Sequence, residues 1–196
     1  MARSLVVIGA SLGGMDAIRI ILKSLPTPFP LPIVVVAHRE ANSSDRLEKA
    51  LRAACALPVV GIVDKEVIMP GRVHVAPGGY HTLVDDEGFA LSTEGRSRFS
   101  RPSIDLLFIS AAQCYGDAVI GVILSGANDD GARGLATIAT CGGLTIVEDP
   151  NSAAASTMPQ AAIAAVPEAR VLPVEAIGAA LWYAATKGEG HSGPRR

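Results

Sequence analysis

Short runs of β-branched and other apolar residues alternate along the chain with longer segments in which apolar residues recur at helical spacing. In the first and clearest unit, the apolar run Leu5 to Ile8 precedes a glycine-rich turn, and Met15, Ile18 and Leu22 then repeat at helical spacing. This alternation is typical of strand–helix–strand units, whose strands pair in parallel. It predicts a doubly wound α/β fold with a mostly parallel sheet flanked by helices.

The same pattern predicts the other elements, with one interruption in the middle of the chain. Strands are predicted at residues 33–36, 59–63, 119–124 and 144–147 and near 171, and helices at about 45–54, 103–115, 132–141 and 175–187, with a short one after 159. Residues 72–75, 82–84 and 89–91 indicate antiparallel additions, the last two as a hairpin. We therefore expect one domain over residues 1–187 with a small antiparallel hairpin insertion, and a flexible polar tail at 188–196.

Composition narrows the possible partners and compartments. The 17 Lys and Arg residues are scattered among 19 Asp and Glu residues, so no basic face for nucleic acid is expected. Three cysteines without metal-ligand spacing argue against a disulfide framework and against a zinc site. No apolar run reaches the roughly 18 residues needed to cross a bilayer. These features predict a cytoplasmic protein without membrane insertion.

Residues Gly9 to Gly13 match the pattern G-x-S-x-G, directly after a predicted strand and directly before a predicted helix. In this context the serine lies on a sharp turn that exposes its hydroxyl, and free N–H groups at the helix N-terminus can stabilise an anion. Ser11 is therefore a candidate nucleophile. The alternative is a phosphate-binding turn for a dinucleotide, but that fingerprint needs glycine where Ser11 stands and an acidic ribose ligand, for which Glu40 is the available residue.

A serine nucleophile needs a base, and four histidines are available. His38 follows the second predicted strand, at the edge where open α/β sheets build their sites. His74 falls inside a predicted strand, His81 in a loop and His191 in the tail, so each of these has a structural explanation. His38 is therefore the candidate base, with a purely structural residue at the strand end as the alternative.

The loop of residues 125–131 follows another predicted strand and offers an acid to orient this base. It contains Asp129 and Asp130, at the same sheet edge as Ser11 and His38. Aspartate is also a common N-cap and turn residue, so a structural role for either is the alternative. A serine, a histidine and an aspartate that each follow a different strand nevertheless predict a catalytic triad, because the acid holds the histidine in the required tautomer.

At these residues the sequence resembles the catalytic domain of the CheB protein-glutamate methylesterase family, from about Leu5 to Ile177. The most specific matches are Gly9-Ala10-Ser11-Leu12-Gly13-Gly14 with the family's G-A-S-T-G-G and Arg101-Pro102-Ser103-Ile104-Asp105 with R-P-S-V-D. Shorter matches are Ala37-His38-Arg39 with Q-H-M, Gly126 to Gly131 with G-M-G-x-D-G, Ala76-Pro77-Gly78 and Met158-Pro159. The resemblance implies Ser11, His38 and Asp130 as the triad, and its register selects Asp130 over Asp129.

The resemblance also implies an oxyanion site made of the backbone N–H groups of Leu12 and Ala127. In the family these positions hold a hydroxyl residue and a methionine, and Asn128 replaces a glycine. A main-chain donor does not depend on its own side chain, and asparagine tolerates left-handed backbone conformations well. The backbone roles are therefore expected to survive the replacements.

Two arginines are candidates for binding substrate. Arg39 stands where the family has a methionine, so it is expected to tune substrate choice and not the chemical step. Arg101 belongs to the shared R-P-S-x-D motif and lies in an arginine-rich loop with Arg96 and Arg98. Such a loop can attract an acidic helical substrate. The alternative for this loop is an ordinary solvated segment.

Members of the family hydrolyse γ-glutamyl methyl esters on receptor helices and commonly deamidate glutamines. The resemblance therefore implies a hydrolase that acts on methyl-accepting chemotaxis receptors and needs no metal or cofactor. Family members typically carry a receiver domain ahead of the catalytic domain, whereas four residues precede Leu5 here, so constitutive activity is expected. Two alternatives remain: a nicotinamide-dependent reductase, and a non-catalytic module that binds receptors.

Overall fold

The computed structural model describes residues 4–39, 46–86, 88–95 and 100–187. Its strands are β1 (Leu5–Ala10), β2 (Ile33–Ala37), β3 (Val59–Gly61), β4 (Val73–Val75), β5 (His81–Asp85), β6 (Gly88–Ser92), β7 (Val119–Ile123), β8 (Leu144–Glu148) and β9 (Arg170–Leu172). Its helices are α1 (Gly14–Ser24), α2 (Arg46–Ala54), α3 (Ile104–Tyr115), α4 (Ala132–Thr140), α5 (Thr157–Ala165) and α6 (Val174–Lys187). Strand and helix alternate except between β3 and β6, where four strands follow one another.

Seven strands form one sheet in the order β3-β4-β2-β1-β7-β8-β9. All neighbouring pairs are parallel, and Val7 in the centre of the sheet pairs with Val34 on one side and Gly121 on the other. β1 is buried over its whole length, as expected for a central parallel strand covered on both faces. The predicted α/β fold, a parallel sheet flanked by helices, is confirmed.

Each face of the sheet has its own apolar core. Val6 and Ile8 of β1 pack with residues of α1, α2 and α6, whereas Val7 packs with residues of α3, α4 and α5. Successive side chains of a strand point to opposite faces, so one strand contributes to both cores. The sheet therefore lies between two layers of helices. Since both faces are covered, the loops at the strand ends are where a site can form.

The region between β3 and α3 confirms one prediction and corrects another. β5 and β6 form the predicted antiparallel hairpin, in which Thr82 pairs with Leu91. Residues 72–75 were expected to be antiparallel, which is wrong: β4 lies between β3 and β2 and is parallel to both. Because β3 and β4 are parallel, the chain must return from the end of β3 to the edge of the sheet where β3 begins. It does so without a helix, so the sequence lacks the usual strand–helix–strand pattern here.

Some predictions fall on residues that the structure does not describe. These are Glu40, the arginines Arg96 and Arg98, and His191 with the rest of the tail at 188–196. Within the described ranges, no helix combines the length and the apolar character that a membrane crossing requires.

Candidate active site

Ser11 lies in the turn between β1 and α1, and two glycines make this turn tight. Gly13 has a left-handed backbone with φ of 78°, and a Cβ at this position would lie 2.5 Å from the Cβ of Ala154. A Cβ on Gly14 would lie 2.9 Å from the carbonyl oxygen of Ser125. Because a side chain fits at neither position, the glycines of the G-x-S-x-G-G motif allow the turn to close against the neighbouring loops.

Backbone hydrogen bonds hold the three strand ends of the site together. The N–H of Ser11 donates to the carbonyl of Ser125 over 2.9 Å, and the N–H of His38 donates to the carbonyl of Ala10 over 3.1 Å. These bonds continue the pairing of β1 with β7 and with β2 beyond the ends of the strands. The residues that follow the three strands are therefore fixed relative to one another by the sheet.

The side chains of Ser11, His38 and Asp130 form one hydrogen-bonded chain. Nε2 of His38 lies 2.7 Å from a carboxylate oxygen of Asp130, and Nδ1 lies 3.0 Å from the hydroxyl oxygen of Ser11. An ionised carboxylate can only accept, so Nε2 carries the proton and Nδ1 of the neutral ring is left as an acceptor. The hydroxyl of Ser11 then donates to Nδ1, which is the nitrogen able to remove its proton.

Asp130 is fully buried and accepts four hydrogen bonds. Besides His38, the donors are the N–H groups of Ile104 and Asp105 at 2.8 and 3.0 Å and the hydroxyl of Ser103 at 3.0 Å. Burial alone raises the pKa of Asp130, but the hydrogen bonds from His38 and from the two backbone N–H groups outweigh it, so the net pKa lies below the ordinary value. The carboxylate is therefore charged, as an anion at the N-terminus of α3.

Asp105, on α3, makes a reciprocal contact with the N-terminus of α4. It is fully buried on α3, and one of its oxygens accepts the N–H groups of Gly131 and Gly134 at 3.0 and 2.7 Å, at the start of α4. Asp130 thus binds the N-terminus of α3, while Asp105 binds the N-terminus of α4, which directly follows Asp130. Each aspartate fixes the backbone next to the other.

Asn128 and Asp129 complete the loop between β7 and α4. The side-chain carbonyl of Asn128 accepts the N–H of Asp130 at 3.2 Å, and its amide nitrogen lies 3.4 Å from Nδ1 of His38. Asp129 is exposed, in contrast to buried Asp130. Of the two aspartates in this loop, Asp130, which the resemblance selects, is the one whose carboxylate contacts the histidine.

Of the two predicted oxyanion donors, Leu12 directly follows Ser11, and Ala127 lies in the loop whose first residue, Ser125, accepts the N–H of Ser11. Within the described part of the chain, the backbone N–H groups of Leu12 and Ala127 have no hydrogen-bond partner. The side chain of Leu12 is 66% exposed beside Ser11. Both N–H groups are thus available to a bound oxygen atom, and Leu12 gives the surface next to the nucleophile an apolar character.

Arg39 is held in the protein and does not reach out to solvent. Its guanidinium forms two hydrogen bonds with the carboxylate of Glu48, at 2.9 and 3.2 Å, and another with the carbonyl of Ala76 at 2.6 Å. The Arg39 and Glu48 side chains are only 11% and 9% exposed. These contacts tie the end of β2 to α2, and the expected influence of Arg39 on substrate choice stays a prediction.

Arg101 stabilises the segment that follows β6. One of its terminal nitrogens donates to the carbonyls of Thr93 and Glu94 at 2.8 and 3.0 Å. A role in substrate binding stays a prediction for this residue.

The two other described histidines have structural surroundings. His74 is buried on β4, where Nε2 contacts the backbone of Met69, and burial lowers its pKa. His81 is buried at the start of β5, with Nε2 3.1 Å from the carbonyl of Gly95. His81 lies in a strand and not in the loop expected from the sequence. Among the described residues there is no cluster of three or more His, Cys, Asp or Glu side chains suited to a metal ion.

Comparison with known proteins agrees with this geometry. The family model for CheB methylesterase matches residues 6–181. The chain belongs to the CheB methylesterase family. The solved catalytic domain of the Thermotoga maritima CheB methylesterase superposes with a TM-score of 0.89 at 32% identity, covering 93% of this chain and 98% of that one. The resemblance inferred from the motifs is therefore confirmed.

Curated relatives carry names that agree with the family. A Leptospira interrogans protein, provisionally named a protein-glutamate methylesterase/protein-glutamine glutaminase, is 46% identical over 88% of this chain and 90% of its own length. A Carboxydothermus hydrogenoformans enzyme with the same pair of activities in its name and the methylesterase FrzG of Myxococcus xanthus are each 40% identical. They align with 89% and 90% of this chain, which spans about half of their length. None of these names supports the reductase or the non-catalytic alternative.

The sequence patterns assign no role to several residues that hold the segments around Ser11, His38 and Asp130. Ser103 and Asp105 were noted in the R-P-S-x-D motif, but their contacts with the Asp130 loop depend on how α3 packs against α4. Glu148 ends β8, next to β7 in the sheet. The strand-end rule that selected Ser11 and His38 applies equally to this carboxylate.

Proposed function

We propose that this chain is a serine hydrolase that removes the methyl group from γ-glutamyl methyl esters of chemotaxis receptors. The observation that carries the proposal is the hydrogen-bonded chain from Ser11 through His38 to Asp130, at 3.0 and 2.7 Å. Membership in the CheB methylesterase family and the names of the relatives support the choice of substrate. We assign the activity to one catalytic domain over residues 1–187.

In the first step the hydroxyl oxygen of Ser11 attacks the ester carbonyl while Nδ1 of His38 takes its proton. The charge on the carbonyl oxygen is stabilised by the N–H groups of Leu12 and Ala127, and the imidazolium by Asp130. His38 then gives the proton to the departing methoxide. Methanol leaves, and the glutamyl side chain stays bound to Ser11 as an ester.

In the second step water attacks this ester, and the same groups act again. His38 removes a proton from the water, the oxyanion forms at the same two N–H groups, and the serine oxygen leaves with the proton from His38. The products are a glutamate side chain and regenerated Ser11. A glutamine side chain gives the same acyl-enzyme with ammonia as the leaving group, which agrees with the second activity in the names of relatives.

The proposed partners are methyl-accepting chemotaxis receptors, and the proposed compartment is the cytoplasm. The three cysteines carry free thiols, which suits a reducing compartment. The proposed reaction uses side chains and backbone groups of this chain and needs no metal or cofactor.

Labelling with a fluorophosphonate probe, followed by mass mapping of the adduct, tests the proposal. We expect the adduct on Ser11, and methanol release from a methylated receptor. Ser11→Ala and His38→Ala should each lower kcat by several orders of magnitude. An adduct on another serine, or full methanol release by Ser11→Ala, would contradict the assignment.

A further inference from the structure

Glu148 is a buried carboxylate that the proposed reaction does not use directly. It is 3% exposed at the carboxyl end of β8, and among the described residues no cationic side chain pairs with it. A buried carboxylate destabilises a fold compared with an apolar side chain of similar size unless its contacts compensate. Its contacts therefore indicate what this position contributes.

Among the described residues, the Glu148 side chain accepts hydrogen bonds from Ser125, the first residue of the loop after β7. One carboxylate oxygen accepts the N–H of Ser125 at 2.7 Å and its hydroxyl at 2.9 Å. The Ser125 hydroxyl in turn accepts the N–H of Ala154 at 3.1 Å. Ser125 is thus fixed by one charged acceptor on the neighbouring strand, through hydrogen bonds that are stronger than neutral ones.

The carbonyl of Ser125 contacts the nucleophile turn from the other side. It accepts the N–H of Ser11 at 2.9 Å, and it lies so close to Gly14 that a Cβ there would be 2.9 Å away. The next residue, Gly126, is held by the carbonyl of Ala155 at 3.0 Å. Any shift of Ser125 therefore moves both the Ser11 turn and the start of the loop that carries Ala127.

We infer that Glu148 is a positioning residue that holds Ser125 so that the two backbone donors, Leu12 and Ala127, face the same oxygen atom. The inference rests on the proposed function, since it assigns Glu148 to the oxyanion site of that reaction. A displacement of about 1 Å at such a site costs on the order of 100-fold in rate. The effect falls on kcat because the donors act on charge that develops in the transition state.

Three variants separate positioning from general stability. Glu148→Leu keeps the approximate size of the side chain but removes the acceptor, whereas Glu148→Gln keeps an oxygen that can accept both bonds from Ser125. Thr145→Val on the same strand is the matched control, because Thr145 is also buried. Each variant is assayed with 4-nitrophenyl acetate for kcat and KM, with a fluorophosphonate for the rate of Ser11 labelling, and by thermal unfolding.

We expect Glu148→Leu to lower kcat and the labelling rate about 100-fold while KM changes less than about threefold. Glu148→Gln should stay within about tenfold of the unmodified protein, and Thr145→Val should match it. If Glu148→Leu does not fold, Ser125→Ala replaces it, with an expected loss of about tenfold in kcat. A folded Glu148→Leu, or in its place Ser125→Ala, with full kcat overturns the inference.

Equal losses in kcat for Glu148→Gln and Glu148→Leu that follow their losses in melting temperature would also overturn the inference. Failure of the proposed function is recognised separately. An unmodified protein that neither cleaves the ester nor reacts at Ser11 refutes that function and the inference with it. An active unmodified protein with a fully active Glu148→Leu refutes the inference alone.

Discussion

Replacing Asp130 by asparagine preserves the shape of the side chain but changes its hydrogen bonds to His38 and to the start of α3. The carboxylate accepts His38 and Ile104 on one oxygen and Ser103 and Asp105 on the other. An amide has one oxygen, so its NH₂ group must face one of these pairs. In either orientation a backbone N–H that now has an acceptor meets a donor instead.

The structure sets the size of two separate effects. A buried N–H left without its acceptor costs about 1–3 kcal/mol, whereas the second donor at that oxygen, the His38 ring or the Ser103 hydroxyl, can instead accept a hydrogen bond from the NH₂ group. For a chain of 196 residues this lowers the melting temperature by roughly 2–12 °C. If the NH₂ faces His38, Nε2 becomes the acceptor and Nδ1 carries the proton, so kcat should fall on the order of 10⁴-fold.

Asp129→Asn is the matched control, because it makes the same chemical change one residue earlier at an exposed position. Its kcat should stay within about threefold, and its stability within about 1 kcal/mol, of the unmodified protein, because contacts of an exposed carboxylate contribute little. Both variants are assayed for methanol release and for thermal unfolding. A crippled Asp129→Asn together with an Asp130→Asn of nearly full activity would refute the reasoning and shift the acid by one residue.

Three further predictions concern the pKa of Asp130, the Arg39–Glu48 ion pair and the tight turn at Gly14. The lowered pKa of Asp130 contributes stability that is fully present above the pKa of the unfolded state, near 3.8, and is lost as the pH falls through the folded pKa. The difference in free energy of unfolding between the unmodified protein and Asp130→Asn should therefore shrink below about pH 4. Urea titrations at several pH values measure this difference. Arg39→Met leaves Glu48 buried without its cation and should lower the free energy of unfolding by about 3–5 kcal/mol, while Arg39→Met/Glu48→Leu recovers most of it; a double variant no more stable than the single one would contradict the ion pair. Gly14→Ala places a Cβ 2.9 Å from a carbonyl oxygen and should lower kcat at least tenfold, on the order of the cost of a small misplacement, whereas Gly95→Ala, which meets no atom within 4 Å, should leave kcat unchanged.

Much of the fold could be predicted from the sequence because the buried strands and amphipathic helices are strongly periodic. The errors lie where local pattern and tertiary contact disagree. β4 has three residues, too few to show a period, and its partners are fixed only when the chain returns beside β2. α5 (Thr157–Ala165) begins two residues before Pro159 and not after it, because a proline is tolerated in the first turn of a helix, where its N–H is not needed.

The reacting groups of the candidate site could be predicted because each follows a different strand of a parallel sheet. Their supporting contacts could not, since these join elements that are distant in sequence. Arg39 was expected to tune substrate choice because it stands where the family has a methionine. Its partner Glu48 lies on α2, and nothing in the local pattern shows that this helix packs against the end of β2. The sequence thus shows that a charged residue follows the proposed catalytic histidine, but it does not show which residue that charge contacts.

Three buried carboxylates hold the segments next to the proposed triad, and each is bound mainly by N–H or O–H donors. Asp130 and Asp105 bind the N-termini of α3 and α4, and Glu148 binds Ser125. Donors fixed in helices and strand ends do not reorient when a proton moves, so these negative charges would stay in place while His38 gains and loses its charge in the proposed reaction. The field that stabilises the imidazolium is therefore already present before the substrate binds, as catalysis by preorganised electrostatics requires. In the proposed reaction these carboxylates need no rearrangement when charge forms on His38, which gives a functional reason for burying them at a cost in stability.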